Sequence, residues 1–157
     1  MSSNQSIPAH SWRNRAFPVG DVSPEVQPFW ELLKQHRFCL CTCKRCGRQY
    51  WPYSLCTGHA DIPDFSEVEW KDASGEGTIF SHIIVHQTND PGFVDELPYA
   101  LALVQLREGP LFAARIIADT VDSVKIGLPV RVALVDLPGG WTAPFFELVT
   151  DGSASAV

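Results

Sequence analysis

Every cysteine of this 157-residue chain falls between Cys39 and Cys56, and the last three of the five follow one spacing. Cys43-Lys44-Arg45-Cys46-Gly47 is followed by Cys56-Thr57-Gly58-His59, with nine residues between Cys46 and Cys56. A two-residue gap lets both thiolates of a tight turn reach one ion at ~2.3 Å, and two such turns face to face close a tetrahedron. Gly47, just past the second cysteine, suits a backbone position with positive φ. The spacing therefore predicts a structural zinc site with Cys43, Cys46, Cys56 and His59 as ligands. His59 is the open point, because a His59 turned elsewhere leaves three ligands. A cluster of free buried cysteines is the competing account.

Cys39 and Cys41 lie at alternate positions before the first knuckle, on the strand face that Cys43 shares. They read as small buried hydrophobes, or else as extra thiolates for an iron–sulfur cluster. Clustering of this kind differs from a disulfide framework, whose bridges spread along the chain, and it points to a reducing compartment. Between Phe38 and His59 there is little large apolar material, so metal ligation is expected to supply much of that segment's folding energy.

The rest of the chain must then carry the core. Hydrophobic residues make up 45% and charged residues 19%, which fits one packed domain with a small appendage. The formal net charge is -6, with twelve Lys and Arg against eighteen acids. A phosphate-backbone binder works through clustered cations, and Lys44-Arg45 is the longest basic run within a motif, so nucleic acid is disfavoured. Met1 to His10 is polar and does not read as a signal peptide. No apolar run reaches the ~18 residues of a membrane span. The expected location is the cytoplasm.

Residues 1–20 read as a polar arm. Ser23-Pro24-Glu25 has the chemistry of a helix start, with Pro28 as an alternative start, and Phe29, Trp30, Leu32 and Leu33 supply an apolar face that ends near His36-Arg37. After the cysteine segment the pattern changes to short β-rich runs: 67–73, 77–85, 99–106, 111–117, 130–135 and 145–149. They are bounded by turn signals such as Ser74-Gly75, Gly109-Pro110 and Pro138-Gly139-Gly140. Runs of this length and number imply a small closed barrel or sandwich. The expected division is an arm and helix over 1–37, a ribbon over 38–62, a barrel over 63–149 and a polar tail over 150–157.

With these pieces in order, the chain resembles the acyl-CoA-associated proteins that join a rubredoxin-like zinc ribbon to an OB-fold. The likeness runs from about Pro28 to Phe146. It is carried by Pro28-Phe29-Trp30-Glu31-Leu32-Leu33, the Cys43 knuckle and Trp51-Pro52. It continues through Ser74-Gly75-Glu76-Gly77-Thr78-Ile79, then Pro98-Tyr99-Ala100-Leu101-Ala102-Leu103-Val104-Gln105-Leu106-Arg107-Glu108-Gly109-Pro110, and finally Ile126-Gly127-Leu128-Pro129-Val130-Arg131-Val132. The family usually has a fourth cysteine where this chain has His59. The resemblance implies an all-β fold: an OB-like barrel of five or six strands, a zinc ribbon and a short N-terminal helix. It also implies a small partner of thiolase-fold enzymes acting on acyl-CoA thioesters. In that arrangement the larger chain holds the catalytic groups and coenzyme A is a ligand shared by the hetero-oligomer.

The residues agree that catalysis lies elsewhere. The chain has no G-x-S-x-G elbow, phosphate-binding glycine loop or H-E-x-x-H pair. His82 and His86 fall in a β-rich run as a polar flank, and Asp90, Asp95 and Glu96 read as a solvated loop. That loop, 87–98, is the expected working surface, with Phe93, Val94 and Leu97 either meeting a partner or folding back over the barrel. Candidate contacts to a partner or to coenzyme A are Phe29, Trp30, Phe93, Tyr99 and Arg48. Arg48 and Arg115 read either as partners for the phosphates of coenzyme A or as ordinary surface charge. Two other function classes stay in play: a single-stranded nucleic-acid binder using the barrel face, and a small independent enzyme.

Overall fold

A computed structural model describes residues 22–54, 56–59, 65–89 and 91–149. The polar arm, the tail from Thr150 and Asp90 lie outside the described residues.

Helix α1 spans Gln27–Lys34, with Pro28 in its first turn, so the later of the two expected starts is the one used. Proline fits there because its missing N–H would have had no helical partner anyway. Phe29 and Leu33, one turn apart, are the buried face. The helix stops in a Schellman turn: His36 adopts φ 55°, its N–H bonds Leu33 O at 2.8 Å, and Arg37 N–H bonds Leu32 O at 3.0 Å.

A three-stranded sheet follows, ordered β2-β1-β3, from β1 (Cys39–Cys43), β2 (Gln49–Tyr50) and β3 (Val68–Asp72). The strand at 68–72 was expected within the barrel region; it pairs instead with β1, Cys41 facing Trp70 and Cys43 facing Val68. The reason is that β1 is buried on both faces. Phe38 and Leu40 are buried in the main core, so Cys39, Cys41 and Cys43 are turned to the other face, and β3 closes the sheet edge.

The remaining five strands close a barrel in the order β4-β5-β6-β8-β7: β4 (Glu76–Val85), β5 (Tyr99–Leu106), β6 (Leu111–Ile117), β7 (Pro129–Leu137) and β8 (Trp141–Leu148). All pairs are antiparallel except β6 with β8. This is the OB-fold expected from the sequence, with five strands. Its core alternates along each strand: Ala100, Ala102, Val104 and Leu106 are buried on β5, and Phe112, Ala114 and Ile116 on β6. Gly77 shows how closely the barrel closes, since a Cβ there would lie 2.5 Å from Val104 Cγ1 and 2.8 Å from Gln105 O.

Barrel, ribbon and helix share one core. The Phe112 ring lies 4.6 Å from that of Trp51, 5.4 Å from Phe38 and 5.9 Å from Phe146, and Phe29 sits 4.3 Å from Trp51. No helix among the described residues is long and apolar enough to cross a membrane.

Candidate metal centre and apolar cavity

The knuckle begins where β1 ends. Gly47 takes φ 73°, which lets its N–H bond Cys43 O at 2.8 Å while Cys43 N–H bonds Arg48 O at 2.9 Å. Opposite it, residues 57–59 form a tight turn in which His59 N–H bonds Cys56 O at 3.2 Å. The two turns bring Cys43, Cys46, Cys56 and His59 together, their ligand atoms all within 4.8 Å of one another. Cys46 Sγ and Cys56 Sγ are 3.6 Å apart. The edge of a tetrahedron with ~2.3 Å metal–sulfur bonds is about 3.8 Å, so the spacing suits one ion. His59 Nε2 is buried and has no hydrogen-bond partner. A buried imidazole nitrogen left alone is costly, and a metal ligand is the role that removes the cost.

Electrostatics set Cys56 apart from Cys39 and Cys41. Tyr50, on β2, donates its hydroxyl to Cys56 Sγ at 3.1 Å and, chiefly through that bond, draws the Cys56 thiol down to about 7. Cys39 is pushed the other way, to about 11, mainly by burial and then by its bond to Asp72. Burial also raises Cys41, whose Sγ meets Ser54 O at 3.5 Å. Thiols held neutral are poor ligands and poor nucleophiles. Cys39 and Cys41 share the ribbon face with Cys43 but behave as packing residues.

The second feature is a cavity of about 650 Å³. Strands β6 and β8 pair only at 116–117 with 146–147, so their earlier residues diverge, and the cavity lies between them. Small residues leave the room: Ala102, Ala113, Ala114 and Ala143 all line it. Phe29, Trp30, Phe93 and Tyr99, four of the five side chains singled out from sequence, border this one space. Arg48 does not. It is exposed on the ribbon, and a Cβ on Gly58 would find both its Nη1, at 3.9 Å, and Cys56 Sγ, at 3.7 Å.

Several expectations change. Phe29, expected as a contact to a partner, is 1% exposed and belongs to the core. Phe93 packs toward Tyr99 at 6.2 Å and folds over the cavity, while Val94 is exposed. His82 is no polar flank: it pairs with Ala102, which pairs with Ala114, and both alanines are buried, so all three face inward. Its Nδ1 is buried without a partner. Glu96 is not solvated but buried, and it accepts a hydrogen bond from Arg115 Nη1. Arg115 also lies 4.7 Å from the Tyr99 ring centroid. Desolvation lowers its pKa, and the Glu96 carboxylate offsets its charge. It is therefore neither surface charge nor a free phosphate ligand. Sequence reasoning missed the Glu96–Arg115 pair and the cavity; only the run of alanines on β5 and β6 hinted at the latter.

With this geometry in hand, comparisons with known proteins become informative. Residues 70–135 match the family described as the ChsH2 C-terminal OB-fold domain. A probable enoyl-CoA hydratase alpha subunit of Thermomonospora curvata is 33% identical over 120 residues, which is 76% of this chain and 36% of that protein. The chain thus spans only about a third of that relative. A DUF35 domain-containing scaffold protein of Methanocaldococcus jannaschii is 30% identical over 105 residues, covering 65% of this chain and 71% of the relative. Among solved structures, the Ltp2-ChsH2(DUF35) aldolase has a chain that superposes with a TM-score of 0.73 at 26% identity, over 83% of this chain and 99% of that one.

Proposed function

This chain belongs to the DUF35 family, and on that premise we propose that it is a non-catalytic accessory subunit of an enzyme complex acting on acyl-CoA thioesters. The catalytic partner we propose is a thiolase-fold chain that makes or breaks a carbon–carbon bond, in the cytoplasm. The observation that carries this reading is the likeness, over nearly the full length of the matched chain, to the DUF35 component of an aldolase complex. The described residues add support of their own. They place the thiols outside the cluster in neutral, buried positions, and the ionisable groups lining the cavity are an inward His82, Tyr99 and an internally paired Arg115. None of these groups is a nucleophile with a base beside it, and the lowered Cys56 thiol belongs to the four-residue cluster.

Within the subunit, Cys43, Cys46, Cys56 and His59 would hold a structural zinc. With four protein ligands the ion has no open position, so it would supply rigidity and no Lewis acid. Its work would be to fix the 44–47 and 56–59 turns against β1 and β2, keeping the ribbon sheet on the shared aromatic core. Trp30, Phe93 and Tyr99 would then form the wall that faces the partner's substrate.

The test is native affinity purification of the tagged chain from its source cells, with retained proteins identified by mass spectrometry. The expected result is a stoichiometric thiolase-fold enzyme. Recovery of the chain alone, or with nucleic acid, would overturn the proposal.

A further inference from the structure

The cavity has walls that are almost wholly apolar, yet one polar atom among its lining residues has nothing to bond: His82 Nδ1, buried on β4. Buried polar groups are nearly always satisfied, and the exceptions ask for a cause. A single water in the cavity could bond the imidazole. The surrounding space, though, is far larger than one water and offers few further polar partners, as a well-held water requires. The volume instead matches that of a small-molecule site with few, placed polar groups.

Charge narrows the ligand. The cation at the cavity edge, Arg115, is already neutralised by Glu96, so the site has no free positive group for a carboxylate or phosphate. The phosphates of a nucleotide thioester must therefore stay outside. We infer that the space between β6 and β8 receives an uncharged, bulky apolar acyl group, and that His82 recognises a hydroxyl or carbonyl on it. The identification of the ligand as the acyl end of a thioester rests on the proposed function; the existence of the site and the role of His82 do not.

The isolated full chain tests the site with a matched pair of probes, 2-naphthol and naphthalene, followed by quenching of tryptophan fluorescence, since Trp30 and Trp51 border the cavity. Satisfying a buried unpaired imidazole should favour 2-naphthol by about tenfold. His82→Phe should erase that preference while keeping naphthalene affinity within about twofold. Ala113→Phe, at an exposed β6 position among the residues that line the cavity, should abolish both. Circular dichroism checks that each variant is folded. Equal binding of the two probes by the wild-type chain, or an unchanged preference in a folded His82→Phe, overturns the role of His82. Absence of binding by the wild-type chain overturns the site.

The acyl assignment has a separate readout in the purified complex. There Ala113→Phe should raise KM for bulky acyl thioesters at least fivefold and leave that for the acetyl thioester unchanged. An equal effect on both overturns the assignment even if the probe results hold. If no enzyme partner is found, the proposed function fails while the probe experiment still decides the site.

Discussion

At the residue scale, identical side chains acquire different chemistry from their neighbours. Cys39 and Cys43 stand four apart on one strand face, yet Cys39 is held neutral by burial while Cys43 meets two other thiols and an imidazole with an orphaned nitrogen. Zinc content measured on variants should separate them. Cys46→Ser should weaken zinc affinity by more than the roughly 10- to 100-fold that loss of an outer-shell partner costs. Cys39→Ala should bind zinc as the wild type does. Tyr50→Phe, which removes only the hydroxyl bonded to Cys56 Sγ, should fall in the 10- to 100-fold range itself. A Cys46→Ser protein with full zinc would show that the four residues are not the ligand set.

The residue scale is also where the sequence was most legible. The C-x2-C and C-x2-H spacings named all four members of the cluster because a tight turn fixes local geometry within a few residues. His82, Glu96 and Arg115 were misread for the opposite reason. Whether a strand residue faces in or out depends on the closed barrel, and β4 carries a register shift between Ile79 and Ser81 that alters the simple alternation. No feature within the 87–98 segment indicates that Glu96 turns inward to an arginine nineteen residues away.

At the scale of elements, the two sheets depend on different forces. The barrel is held by alternating apolar residues and the aromatic cluster, whereas the ribbon has a two-residue β2 and few large apolar residues of its own. Phe112 links them, touching rings from α1, the ribbon and β8. Phe112→Ala should cost about 3–5 kcal/mol in chemical denaturation, the range for deleting a buried aromatic ring. Chelation should act on the ribbon alone. Stripping zinc should abolish amide exchange protection in residues 39–50 while β5 and β6 keep theirs. Loss of protection throughout the chain would show that the barrel does not stand without the metal. The barrel strands β5 and β6 were readable as runs of alternating apolar residues. The strand at 68–72 looked no different from them, and only its pairing with β1 assigns it to the other sheet.

For the whole molecule, the fold by itself does not specify a task, since OB barrels serve many. The acidic balance argues against a phosphate backbone as partner, because a net charge of -6 gives little to release counterions with. Family membership is the ground on which we propose a subunit that assists chemistry done by another chain. The chain's contribution would then be shape: a zinc-stiffened ribbon, a shared aromatic core, and an apolar cavity beside the partner.

The most direct measurement is cleavage of a 3-oxoacyl-CoA by free coenzyme A into two shorter acyl-CoA thioesters, assayed with three samples: the chain alone, its captured partner alone, and the two recombined. The account predicts no turnover by the chain alone and at least tenfold more activity from the recombined pair than from the partner by itself. Turnover by the purified chain without any partner would contradict it.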